Sequence, residues 1–256
     1  LPNGHLLVRT DHHFRCFVRF IQCHKLIKGH DRNIYSAAHR GKTNEFYRFV
    51  RDNKKKLNVN QTNQWGWTPL MTAARRGAFR IVKRLVQMKA KVNSQNQNGW
   101  TALMYAAGRG ERAVVELLIQ NNADVNIQAK NGESAITAAA RSSRWSVVTT
   151  LINNDAKVEQ ATKSKETALH FAVQAGQYSI VQQILSSRGG ALTIDQQDQQ
   201  GRTALHLAAA ADNMAICALL LYNHANKWTL DVMKLTPEAR AQANGYSLLA
   251  VWIASY

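Results

Sequence analysis

The motif Thr68-Pro69-Leu70-Met71 returns as Thr101-Ala102-Leu103-Met104, Ser134-Ala135-Ile136-Thr137, Thr167-Ala168-Leu169-His170 and Thr203-Ala204-Leu205-His206. The starts lie 33, 33, 33 and 36 residues apart, and Thr236-Pro237 follows after a further 33. Ile34 stands 36 residues before Leu70, which places Ala37-Ala38 in register with Ala73-Ala74. A period this constant confines the chain to a stacked array, because one unit of about 33 residues cannot bury its own apolar face and must borrow cover from its neighbours.

The composition of the unit explains its shape. A Ser or Thr at the head accepts a backbone N–H and caps a first helix. Pro69 and Pro237 fall at the first helical position, where a missing N–H does no harm. The small pairs Ala73-Ala74, Ala106-Ala107, Ala139-Ala140, Ala172-Val173 and Ala208-Ala209 let neighbouring helices approach closely. Gly77, Gly110, Gly176 and Gly245 suit the left-handed residue that ends a helix. A second helix then carries apolar pairs four apart, from Ile81-Val82 with Leu85-Val86 to Ile216-Cys217 with Leu220-Leu221. Asn98-Gly99 and Asn131-Gly132 make turns to the next unit. The fold expected is all-α: a solenoid of helix-turn-helix units joined by short hairpin loops, without an extended sheet.

These residues closely resemble the ankyrin repeat. The opening motif, the alanine pair, the helix-ending glycine and the closing Ala90-Lys91-Val92-Asn93 and Ala123-Asp124-Val125-Asn126 all follow that family's pattern. The resemblance covers residues 31–256 as an ankyrin-repeat domain of seven units, near 31–62, 63–95, 96–128, 129–161, 162–197, 198–230 and 231–256. The last unit is expected to shield Leu220 and Leu221 as a cap. Residues 1–30 form a basic N-terminal extension, in which Phe14, Phe17, Val18 and Ile21 make one helical stripe that would cap the first unit. Departures make the fourth and fifth units the least regular. Ser143 and Asp212 replace the helix-ending glycine, and Lys165 replaces the glycine before the motif. Extra residues enter around Asn53-Lys54-Lys55-Lys56 and Ser187-Arg188-Gly189-Gly190; insertions in such arrays form loops that often bind.

Charge supplies the functional clue. Lys and Arg number 33 against 16 Asp and Glu, a net +17. Residues 1–60 carry +9, 61–128 +6, 129–190 +3 and 191–256 −1. A gradient of this kind points to rRNA or another polyanion at the N-terminal half. The resemblance sharpens it, because the two residues after the alanine pair face the groove in this family. They read His39-Arg40, Arg75-Arg76, Gly108-Arg109 and Arg141-Ser142, then turn neutral at Gln174-Ala175 and Ala210-Ala211. Arg40, Arg75, Arg76, Arg109 and Arg141 therefore make a candidate basic row, extended by Lys54, Lys55, Lys56, Arg15 and Arg19. Trp65, Trp67 and Trp100 fall at hairpin tips that the family uses for contacts, where a ring can serve as a hot spot or stack on a base. Packing of one tip against the next is the alternative for these rings.

Other chemistry is not legible. Glycine-rich phosphate loops, dinucleotide fingerprints and zincin helices are missing, so neither an enzyme nor a cofactor is expected. Cys16 and Cys23 are too far apart for a zinc pair, so no metal is expected. In the resembling family the motif histidine, here His170 and His206, bonds to adjacent units. The longest apolar runs, Ile216–Tyr222 and Ser247–Tyr256, fall short of the roughly 18 residues of a membrane helix. Three cysteines suit a reducing intracellular compartment. The expectation is a non-catalytic scaffold in a large ribonucleoprotein, with RNA on its basic half and protein on its neutral half. An organellar ribosome in the mitochondrial matrix is the placement drawn from the charge and from a start at Leu1 rather than Met, with the cytoplasm or nucleus as the alternative. The alternative is an interaction module for an acidic peptide or domain.

Overall fold

The computed structural model describes residues 33–54 and 57–256. The basic extension with Arg15 and Arg19, and the loop residues Lys55 and Lys56, lie outside them. Among the described residues there are fifteen helices and no strand. They run as α1 (Ile34–Arg40), α2 (Thr43–Asp52), α3 (Pro69–Arg75), α4 (Phe79–Gln87), α5 (Ala102–Arg109), α6 (Arg112–Ile119), α7 (Ala135–Arg141) and α8 (Trp145–Ile152). Then come α9 (Ala168–Gln174), α10 (Tyr178–Ser186), α11 (Gly190–Thr193), α12 (Ala204–Ala210), α13 (Met214–Tyr222), α14 (Pro237–Ala243) and α15 (Ser247–Ser255). First helices of neighbouring units pack into one layer and second helices into another. The short α11 occupies the second insertion.

Each helix begins where its motif says it should. Thr68, Thr101, Thr203 and Thr236 accept the N–H of the third helical residue at 3.2, 3.3, 3.5 and 3.1 Å. In the first unit the cap is Asn33, which accepts from Ser36 N–H at 2.8 Å. The alanine pairs are buried as the register requires, Ala38, Ala73, Ala74, Ala106 and Ala107 completely. Their small methyl side chains are what allow the first helices to touch. Ile81, Val82 and Leu85 of α4 have counterparts in every second helix, and one continuous core runs through all the units.

Backbone hydrogen bonds link the hairpin tips. Gln97 N–H donates to the Trp65 carbonyl, Lys130 to Asn98, Lys163 to Asn131, Gln199 to Ser164 and Val232 to Gln200. Within the tips, the side chains of Asn63, Asn96, Asp198 and Asp231 each accept two backbone N–H groups. A second ladder crosses between units: Asn60, Asn93 and Asn126 accept from the N–H of Lys91, Asp124 and Lys157 at 2.8, 2.9 and 2.8 Å. Glu159 interrupts this ladder beside the second insertion, and Asp195 resumes it by accepting from Asn226 N–H.

The irregular positions keep the regular backbone. Ser143 and Asp212 take φ +56° and +53°, in the left-handed region where Gly77 and Gly110 sit at +67° and +82°. Lys165 does the same at +59°. The repeat geometry overrides the preference of these side chains, at a cost in backbone strain.

The last unit packs its first helix, α14, on α12 of the unit before it. Leu220 and Leu221 are buried, together with Leu249, Ala250 and Ile253 of α15, while Leu248 and Val251 point outward at 89% and 68% exposure.

Candidate polyanion-binding groove

The basic row is built by the ends of successive first helices. Arg40 closes α1, Arg75 and Arg76 end α3, Arg109 ends α5 and Arg141 ends α7. A cation at a helix C-terminus also complements the partial negative charge of the unpaired carbonyls there. Arg76 and Arg109 are exposed and have no ion pair among the described residues. Arg40 lies 3.8 Å from Glu45, a carboxylate held more closely by Lys42 at 3.1 Å. The Arg75 guanidinium stands 5.6 Å from the Trp67 ring centroid, a cation–π contact that fixes its direction. Lys54 is exposed at the end of the first unit.

Arg141 requires a correction. Its guanidinium pairs with Glu133, whose side chain is almost wholly buried, so this rung is occupied from within. Desolvation explains the arrangement: a buried carboxylate keeps its charge only with a cation beside it. The row is shorter than the sequence suggests, ending at Arg109.

The aromatic tips are corrected in part. Trp65 remains exposed at 38%. Trp67 and Trp100 instead pack on Tyr105, with centroids 4.3 and 4.9 Å away. Asn96 Nδ2 donates to the Tyr105 hydroxyl at 2.8 Å and fixes the ring between them. Both rings are held by packing, but onto a residue of α5 rather than of one tip against the next. They form a half-buried aromatic stack beside Arg75, and Tyr105 is the member that the motif reading missed. Overlaying its column would have found it, since the equivalent positions are Thr72, Ala138, Phe171 and Leu207. The column before the motif reads Trp67, Trp100, Glu133, Glu166, Arg202 and Leu235, so aromatic residues give way to carboxylates where the arginine row stops.

The motif histidines are structural. His170 Nδ1 accepts from Thr167 N–H at 3.2 Å and lies 2.9 Å from its hydroxyl; Nε2 lies 3.3 Å from the Arg202 carbonyl of the next unit. His206 repeats this with Thr203 and the Leu235 carbonyl at 3.0 Å. The backbone donor at Nδ1 selects the tautomer protonated on Nε2. Burial lowers both pKa values, against the partial opposition of the carbonyl bonds and nearby carboxylates. Burial would raise Asp198 and Asp231, but bonds from Arg202 and Arg240 and from backbone N–H groups outweigh it and hold both below the ordinary carboxylate value. Burial pushes the Cys217 thiol up to about 12, leaving it an inert core residue. Among the described residues no three His, Cys, Asp or Glu side chains gather as a metal site, and no helix is long and apolar enough to cross a membrane.

Comparison with known proteins agrees with this architecture. The family model for ankyrin repeats in three copies matches residues 34–129 and 110–196, and that for a single ankyrin repeat matches 200–231. No curated protein matches the sequence. The crystal structure of the human ASB11 ankyrin repeat domain superposes with TM-score 0.71 at 21% identity, over 86% of this chain and 96% of that one. The ankyrin repeat domain of Bcl-3, described as a unique member of the IkappaB protein family, superposes with TM-score 0.72 at 21% identity, over 90% of this chain and 100% of that one. The capped first helices, the buried alanine pairs and the matched repeats lead to one conclusion: the chain belongs to the ankyrin-repeat family of protein-interaction modules.

Proposed function

We propose that this chain is a non-catalytic scaffold of a ribonucleoprotein assembly, holding RNA along the arginine row of its N-terminal half and protein along its neutral C-terminal half. The observation that carries the reading is the order of charge along one face. Arg40, Arg75, Arg76 and Arg109 end successive first helices, and the row closes where Glu133 captures Arg141. Forked guanidinium groups spaced by a helix repeat suit the phosphates of a flexible strand. Trp65, with the stack of Trp67, Tyr105 and Trp100 beside Arg75, offers edges and faces for bases. A charge of +17 extends the proposal to an organellar ribosome in the mitochondrial matrix.

A second reading is an acidic peptide or domain in the same groove. It is favoured by the packing of Trp67 and Trp100 on Tyr105, which uses a face of each ring that a base would otherwise take. Fluorescence anisotropy with a single-stranded RNA and a polyglutamate peptide of equal charge separates the two. Tighter RNA binding that weakens in Arg76→Gln/Arg109→Gln is expected. Preference for the peptide would move the groove to the acidic-protein reading.

A further inference from the structure

The second-helix layer carries a cluster of cations that the groove does not use. Between α2 and α4 lies an open surface cleft of about 500 Å³, lined among others by Asn44, Tyr47, Arg48, Arg51, Lys54 and Arg84. That volume suits a small ligand. Four of these residues are cationic, and no carboxylate lines the cleft among the described residues. Both carboxylates of α2 are already paired, Glu45 with Lys42 and Arg40, and Asp52 with Arg51 of the lining itself, at 3.0 Å from its Nε. Arg48, Lys54 and Arg84 have no ion pair among the described residues. Arg84 Nε is buried without a hydrogen-bond partner, which is costly for a guanidinium N–H. The Tyr47 hydroxyl donates to the Arg80 carbonyl at 3.2 Å and ties α2 to α4 at the cleft edge.

Like charges held this close repel unless an anion sits among them. A carboxylate brings two oxygens and one charge, too little for the guanidinium forks of Arg48 and Arg84 and the ammonium of Lys54, with Arg51 already paired to Asp52. A terminal phosphate brings three oxygens and up to two charges, and successive phosphodiesters of a backbone bring one charge and two free oxygens each, so that several together match the cluster. We infer that this cleft binds clustered phosphate groups, supplied either by a free polyphosphorylated small molecule or by a nucleic-acid backbone. The site lies in the helix layer opposite the arginine row, and the inference stands whether or not RNA occupies the groove.

Calorimetric titration of the whole chain with tripolyphosphate at low ionic strength tests it. One saturable site is expected, weakened at least about tenfold in Arg48→Gln/Lys54→Gln and in Arg84→Gln, and unchanged in Arg188→Gln. Arg48 and Lys54 are exposed, so their double variant keeps the test valid if Arg84→Gln fails to fold. A single-stranded RNA forms the second arm. Failure to bind tripolyphosphate, with RNA weakened about tenfold by the same double variant, would assign the phosphates to a backbone. Indifference of both ligands to Arg48→Gln/Lys54→Gln, or an equal loss of tripolyphosphate binding in Arg188→Gln, would overturn the site.

Discussion

Arg109 and Arg141 occupy neighbouring rungs of one column and have opposite duties. Arg109 is exposed with no ion pair among the described residues, whereas Arg141 neutralises the buried Glu133. Arg141→Ala would strand that carboxylate and is expected to destabilise the fold by about 1–2 kcal/mol, a buried-pair figure reduced because the guanidinium is partly exposed. RNA affinity should stay near wild type, and thermal melts with binding assays on the folded variant check both. The histidines set the pH response. His170 and His206 have lowered pKa values in the fold, so unfolded chains bind more protons just below pH 6.5. Their contribution is complete above pH 6.5 and is lost as the pH falls below it. The slope is at most about 1.4 kcal/mol per pH unit for each histidine. Asp198 and Asp231, lowered from 3.8, add a further loss only below pH 4 or so. Urea unfolding between pH 7.5 and 5 should show falling stability, with a shallower fall in His206→Asn.

At the scale of the helix, the sequence was close to complete. Threonine caps, alanine pairs and apolar pairs four apart are local patterns, and local patterns specify where a helix starts and which face it buries. What it concealed is tertiary. Tyr105 joins Trp67 and Trp100, and Glu133 reaches Arg141, through side-chain directions that no spacing rule within one motif contains. The irregular units show the same principle from the other side. Ser143 and Asp212 look like breaks in the repeat, yet neighbouring units impose the left-handed backbone on them. Ser143→Gly and Asp212→Gly should therefore each stabilise the fold by about 0.5–1 kcal/mol, the relief of strain less the added freedom of the unfolded chain. Chemical denaturation measures this, and a loss of stability would show that their side chains contribute more than their backbone strain costs.

Across the whole molecule, the two ends of the stack differ. The C-terminal end is a cap with buried Leu249 and Ile253 and an apolar outer row at Leu248 and Val251. Truncation after Lys234 would bare Leu220 and Leu221, and light scattering should register aggregation; a soluble monomer of equal stability would show the last unit to be dispensable. The N-terminal half concentrates positive charge on a helical row, and the central claim is that this row neutralises RNA phosphates. Affinity for single-stranded RNA across a salt series measures that directly. Arg40, Arg75, Arg76 and Arg109 predict a slope of log affinity against log salt near about −3, at roughly 0.7 per phosphate. Arg76→Ala/Arg109→Ala should flatten it by about 1.4, while Arg188→Ala, in the fifth unit, should leave it unchanged. A slope near zero, or one altered equally by the near and far variants, would contradict the account.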